Sequence, residues 1–257
     1  MQAVLFVGHG SRVEAGRRQA ADFIRKCLVE IDVPIREFCF LELAAPSIEE
    51  GIAKCVGRGA TRIAVLPLLL LTAGHAKKDI PAKLQEVRRQ YPHITIDYGK
   101  PLGVHNAIID ILLERIREQA PVADDASVLI VGRGSSDPGI KADFTNIVRL
   151  LKERHPFHRV ETAYLAAAEP RFEEGLEEIQ ATDSSQIFVV PYLLFTGVLM
   201  KEMEQQITEM NADGEGRFIL CDSLGYHSNL KKVVLERVAE VTQPTGDDPN
   251  ESLPING

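Results

Sequence analysis

The sequence predicts an α/β protein of two tandem, similar domains, each a parallel four-stranded sheet flanked by helices. Three observations carry this expectation. Short apolar runs alternate with amphipathic segments of a dozen residues or so, the pattern of parallel strands joined by crossover helices. Three blocks of the first half return at one constant spacing: residues 4–11 at 128–135, residues 40–51 at 164–175, and residues 67–73 at 191–197. A constant offset over three blocks marks a duplicated domain. The spacing, 124 residues from Val4 to Val128, shortens to 122 near the end, where Leu102-Gly103 matches Leu224-Gly225 and His105 matches His227.

The elements of the first half follow in order. Residues 2–7 read as a buried strand. From Arg12 to Glu30 apolar positions such as Ala21, Ile24 and Leu28 recur at helical spacing, and Pro34 ends the pattern. Residues 35–43 read as a second strand. Pro46 and Ser47 open a helix that runs to about Val56; Ser47 with Glu50 three residues on is a capping box, and Gly57 and Gly59 close it. Residues 63–71 are the third strand. A helix starting at His75 or Lys77 and ending at Gln90 follows, interrupted near its start by Pro81. Residues 94–98 form a short fourth strand and residues 105–118 a last helix. Residues 120–126 read as a linker. The expected domains are therefore 1–120 and 127–242, with 243–257, rich in Pro, Gly, Asp and Asn, a disordered tail.

Composition removes several classes. A net charge of −8 argues against a nucleic-acid surface or an anionic membrane partner. The absence of Trp and an aromatic content of 6% argue against a base-stacking platform. No apolar run reaches the roughly 18 residues of a membrane span. Cys27, Cys39, Cys55 and Cys221 are widely spaced, which suits neither a disulfide framework nor a structural zinc or iron–sulfur site. The opening residues carry no basic region or cleavage pattern, so a reduced, cytoplasmic setting is expected. There is no phosphate-binding G-x-x-x-x-G-K-[ST] motif, and no nucleotide cofactor is expected.

The duplication serves as an internal control on the candidate site. Gly8, Gly10, Ser11, Pro46, Gly51, Pro67 and Thr72 all recur in the second half. Three polar residues at strand ends do not: His9 becomes Arg133, Glu42 becomes Ala166 and His75 becomes Leu199. Loss or gain in step points to one shared task, confined to the first half. In the strand order 2-1-3-4 the three ends are neighbours, about 5 Å apart per strand step, and ligands of open parallel sheets sit there. Two imidazoles and one carboxylate suit a borderline divalent ion and leave coordination positions open.

Each residue also has a plainer reading. A lone histidine after a strand is more often a turn or packing residue, and a strand-end glutamate is often only solvent-exposed. Gly8-His9-Gly10 starts like a dinucleotide fingerprint, but Val13 stands where the third glycine belongs. His93, His105, His155, His158 and His227 have no partner pattern. Lys77 and Lys78 read as a solvated helix face, and Arg133 as either a surface substitution or an anion clamp.

The segments Val7-Gly-His-Gly-Ser-Arg12, Phe40-Leu-Glu-Leu43, residues 63–77 with Asp79-Ile-Pro81, and Tyr98-Gly-Lys-Pro101 resemble the class II chelatases of tetrapyrrole synthesis. So do residues 132–138 and 190–197 of the second half. The likeness spans residues 1–242 and is greatest to the long, two-domain sirohydrochlorin ferrochelatases (the SirB type, related to CbiX). It implies two similar domains facing across a cleft as an internal pseudo-dimer in a monomer. It implies a metal site of His9 and His75 assisted by Glu42, the same residues being catalytic. It further implies a substrate-binding set of Ser11, Arg12, Leu71, Thr72, Ala73, Gly74 and Arg133, in which local cations offset the chain's negative charge. The implied reaction inserts Fe²⁺ into sirohydrochlorin, with no cofactor beyond the substrate metal, and no nucleic acid or membrane as partner. Co²⁺ or Ni²⁺ insertion is the nearest rival. A non-catalytic metal or tetrapyrrole carrier is the alternative of another kind, against which the open ligand set counts.

Overall fold

The computed structural model describes residues 1–213 and 216–242. The expected tail, 243–257, lies outside the described residues. The first repeat holds β1 (Gln2–Gly8), α1 (Glu14–Leu28), β2 (Ile35–Phe40), α2 (Ile48–Gly57), β3 (Arg62–Leu68), a π turn (His75–Asp79) running into α3 (Ile80–Gln90), β4 (Thr95–Tyr98) and α4 (Asn106–Gln119). The second holds β5 (Ser127–Gly132), α5 (Gly139–Arg154), β6 (Arg159–Tyr164), α6 (Phe172–Gln180), β7 (Ile187–Tyr192), α7 (Val198–Asp213), β8 (Phe218–Leu220) and α8 (Ser228–Thr242). Each repeat makes its own parallel sheet, in the orders β2-β1-β3-β4 and β6-β5-β7-β8. This is the expected fold class and strand order.

The central strands β1, β3, β5 and β7 are buried almost end to end, because helices cover both faces of a parallel sheet. Leu5, Ile63 and Val65 pack with Ile48, Ile52, Ile80 and Leu84 on one face of the first sheet. Leu129, Ile187 and Val189 pack with Phe172, Met203 and Ile207 in the second. The capping box of α2 is formed: Glu50 N–H donates to Ser47 Oγ, and Ser47 N–H donates to Glu50 Oε2 at 2.7 Å. His105 and His227, which showed no partner pattern in the sequence, prove to be helix caps. Their Nδ1 atoms accept from Ala107 N–H and Asn229 N–H.

Three details differ from the sequence reading. Strand β2 ends at Phe40 rather than at residue 43, because Leu43 takes φ 61°, which no strand accommodates. Strand β3 ends at Leu68, so residues 69–74 form the loop before the π turn. The compact units also divide elsewhere than the sequence repeats do: among the described residues, one is Met1–Gly103 with residues 231–242, the other Val104–Leu230. The helix after each fourth strand packs in the unit built on the other repeat's sheet. Arg237 of α8 donates to the carbonyls of Pro101 and Leu102, and Lys231 pairs with Glu30. In the other unit Asp110, Glu114 and Arg115 of α4 bond Arg154, His227 and the Leu224 carbonyl. The boundary expected at residue 120 follows the sequence repeat, whereas the compact units exchange α4 and α8. Among the described residues no helix is long and apolar enough to cross a membrane.

A candidate metal site at three strand ends

The sheet order places the ends of β2, β1 and β3 side by side, with Gly8 opposite both Phe40 and Leu68. His9 follows β1 directly. Its carbonyl accepts from Glu42 N–H at 3.1 Å, and the Gly8 carbonyl accepts from Leu41 N–H at 2.8 Å, so the ladder carries on past the strands and fixes His9 beside Glu42. Gly10 permits this approach: at φ +95° a Cβ there would stand 1.8 Å from the Glu42 carbonyl oxygen. Gly134 repeats the geometry against Ala166 with the same 1.8 Å clash, so the close turn is scaffold and the side chains at 9 and 42 are what the first repeat adds.

His75 opens the π turn. Its Nε2 lies 3.2 Å from His9 Nε2, and His9 Nε2 lies 3.4 Å from Glu42 Oε1. One ligand atom from each of the three falls within 4.8 Å of the others. Both imidazoles are held from behind. His75 Nδ1–H donates to Asp79 Oδ2 at 2.7 Å, and His9 Nδ1–H donates to the Gly10 carbonyl at 3.0 Å. An oxygen acceptor at Nδ1 fixes the tautomer in which Nε2 carries the lone pair. Two lone pairs then face one another, an arrangement that a shared cation relieves. Imidazole nitrogens each about 2.0–2.1 Å from one ion at a tetrahedral angle stand about 3.3 Å apart, close to the spacing here. His9 and His75 are partly buried and Glu42 is half exposed, so the donor set is open to solvent on one side.

The other expected site residues divide. Leu71, Thr72, Ala73 and Gly74 form the partly buried loop that leads into His75. Ser11 and Arg12 lie in the loop after His9, but Ser11 Oγ accepts from Val13 N–H, and Ser135 Oγ accepts from Asp137 N–H in the same way. That shared turn explains why this serine recurs. Arg133 is an exposed residue after β5, in the other compact unit. Sequence reading gave no role to Asp79. The spacing His75-x-x-x-Asp79, which puts a carboxylate one helical turn beyond an imidazole, was the signal available.

A duplicated parallel α/β chain with a two-imidazole, one-carboxylate donor set at the strand ends of a single repeat defines a class, the two-domain class II chelatases. The chain belongs to the CbiX family, whose model matches residues 3–119 and 127–241. It is 49% identical over 248 residues to a sirohydrochlorin ferrochelatase of Priestia megaterium, covering 96% of this chain and 93% of that one. It is 38% identical over 246 residues to a sirohydrochlorin cobaltochelatase of the same organism, covering 93% of this chain and 80% of the relative. The solved structure of SirB from Bacillus subtilis with Fe³⁺ matches with a TM-score of 0.86 at 42% identity, over 94% of this chain and 96% of that one.

Proposed function

We propose that this chain is a sirohydrochlorin ferrochelatase. It inserts Fe²⁺ into sirohydrochlorin to give siroheme, and two protons leave the macrocycle as the ion enters. The observation that carries the assignment is the pair of Nε2 atoms 3.2 Å apart, each on an imidazole whose Nδ1 is hydrogen-bonded to an oxygen. Such a pair holds a divalent ion with neutral donors, which release it more readily than thiolates would. Glu42 adds one anionic oxygen beside His9.

Metal transfer exchanges an ion for protons. While His9 and His75 hold the ion their lone pairs are occupied, and passing it to the macrocycle frees those lone pairs to take up pyrrole protons. Glu42, half exposed, is placed to accept a proton and pass it to water. The residues 71–74 beside His75, with Ser11 and Arg12 beside His9, are the proposed wall against which the macrocycle lies, and Arg12 is its proposed carboxylate contact. The metal is substrate, and the proposed reaction needs no further cofactor. The protein is proposed to work as a cytoplasmic monomer.

Cobalt insertion is the second reading. It is favoured by the cobaltochelatase relative and by a donor set that suits Fe²⁺ and Co²⁺ alike. The deciding experiment mixes the protein anaerobically with sirohydrochlorin and Fe²⁺, Co²⁺ or Ni²⁺ and follows the macrocycle's absorbance. The expected result is acceleration over the protein-free control, greatest with Fe²⁺ and abolished by His75→Ala. No acceleration with any of the three ions would refute the chelatase assignment, and preference for Co²⁺ would replace it with the second reading.

A further inference from the structure

The π turn carries one residue more than its counterpart. Ala76, Ile80, Leu84 and Val87 face the first core, and Met200, Met203, Ile207 and Met210 face the second. Ala76 matches Met200, but Ile80 matches Met203, so four steps in one helix replace three in the other. Lys77 and Lys78 match Lys201 and Glu202, and the residue left over is Asp79. One of the two residues by which the repeat spacing shortens is therefore located here. A π turn is what one added residue inside a helix produces, and such turns gather at functional sites.

The surroundings hold the turn open. Ile80 N–H donates to the His75 carbonyl, five residues back. Pro81 has no N–H to offer the Ala76 carbonyl. The buried Tyr98 hydroxyl donates to that carbonyl instead, at 3.0 Å. In the second repeat Glu204 stands for Pro81, Leu220 for Tyr98, and α7 has no π turn.

We propose that Asp79 is a positioning residue for metal capture: it fixes the tautomer and ring orientation of His75, and the π turn exists to put it there. The inference rests on the reading of His9, Glu42 and His75 as the metal site. Asp79 itself is half exposed, and as an ion pair it adds little stability. Its effect is on what Nε2 of His75 presents. With the carboxylate at Nδ1, the lone pair at Nε2 faces His9. Without it the ring is free to turn, and the other tautomer puts a proton where the metal binds.

The test uses the full-length protein labelled with ¹⁵N-histidine. Long-range ¹H–¹⁵N spectra report the His75 tautomer, and a Co²⁺ titration reports affinity. In the wild type His75 is expected to carry its proton on Nδ1. In Asp79→Ala the Nε2–H form is expected to appear, and Co²⁺ affinity to fall about 10–100-fold, with the melting temperature of the metal-free protein little changed. Asp79→Asn keeps an acceptor oxygen and the side chain's shape, so it is expected to retain the tautomer and most of the affinity. An unchanged tautomer and unchanged Co²⁺ affinity in Asp79→Ala, with His75→Ala still failing to bind, would overturn this inference alone. Wild-type Co²⁺ binding by His75→Ala would overturn the metal-site reading and the inference with it.

Discussion

Gly10 serves the site by having no side chain. An alanine there meets the Glu42 carbonyl at 1.8 Å and adopts φ +95° at a cost, so the turn must open and carry His9 away from Glu42. Gly134→Ala makes the same clash with Ala166, where no donor set exists. The pair is a controlled experiment. Both substitutions are expected to lower stability by more than about 1 kcal/mol, measured by denaturant unfolding. Only Gly10→Ala should also weaken Co²⁺ binding; equal affinities in the two variants would mean the turn does not set the site. Glu42→Gln keeps the shape of the side chain and removes its charge. It is expected to lower the insertion rate by about 10²-fold or more, the range for a lost proton acceptor, and an unchanged rate would remove Glu42 from the chemistry.

At the scale of elements, the segment from His75 to Tyr98 shows what was legible in the sequence and what was not. The apolar run of β3, the turn and the following helix were readable because burial on both faces and amphipathic spacing leave periodic traces. Pro81 signalled an interruption. The kind of interruption was not readable, because a π turn depends on which distant group satisfies the carbonyl that proline leaves without a donor. Here that group is Tyr98, on the next strand. The trio His9, Glu42 and His75 was legible only through the repeat, which showed three changes in step. Asp79 escaped the comparison because an added residue has no partner to be compared with. Tyr98→Phe leaves the Ala76 carbonyl buried without a donor. It is expected to cost about 1–3 kcal/mol by thermal or denaturant unfolding, and no loss would mean that water or a shifted backbone replaces the hydroxyl. Burial also pushes the Cys27 and Cys55 thiols up from 9.0 to about 12, and raises Cys39 and Cys221 as well. Thiols that ionise more readily unfolded than folded stabilise the native state fully below pH 9 and progressively less as pH rises toward 12. The melting temperature should therefore fall above pH 9, and a flat profile would show the thiols to be accessible.

For the whole molecule, the sequence repeat and the compact unit are different things. Parallel strands and their crossovers were predictable from pattern. The placement of α4 and α8 was not, since an amphipathic helix at the end of a repeat states which face is buried but not which sheet receives it. Cutting the chain between residues 120 and 127 separates each sheet from one of its covering helices. The fragments 1–120 and 121–257 are expected to be unstable when expressed singly and to reassemble into an active complex when co-expressed. Independent, cooperative folding of 1–120 as a monomer would show that α8 is dispensable to the first sheet. One repeat alone is proposed to hold the substrate metal, through His9, Glu42 and His75. Anomalous diffraction from crystals of the protein soaked in Co²⁺ tests it most directly. The predicted result is one ion bonded by Nε2 of His9 and Nε2 of His75 at about 2.0–2.2 Å, with a Glu42 oxygen beside it and none at Arg133, Ala166 or Leu199. An ion bound away from the two imidazoles, or an equal site in the second repeat, would contradict it.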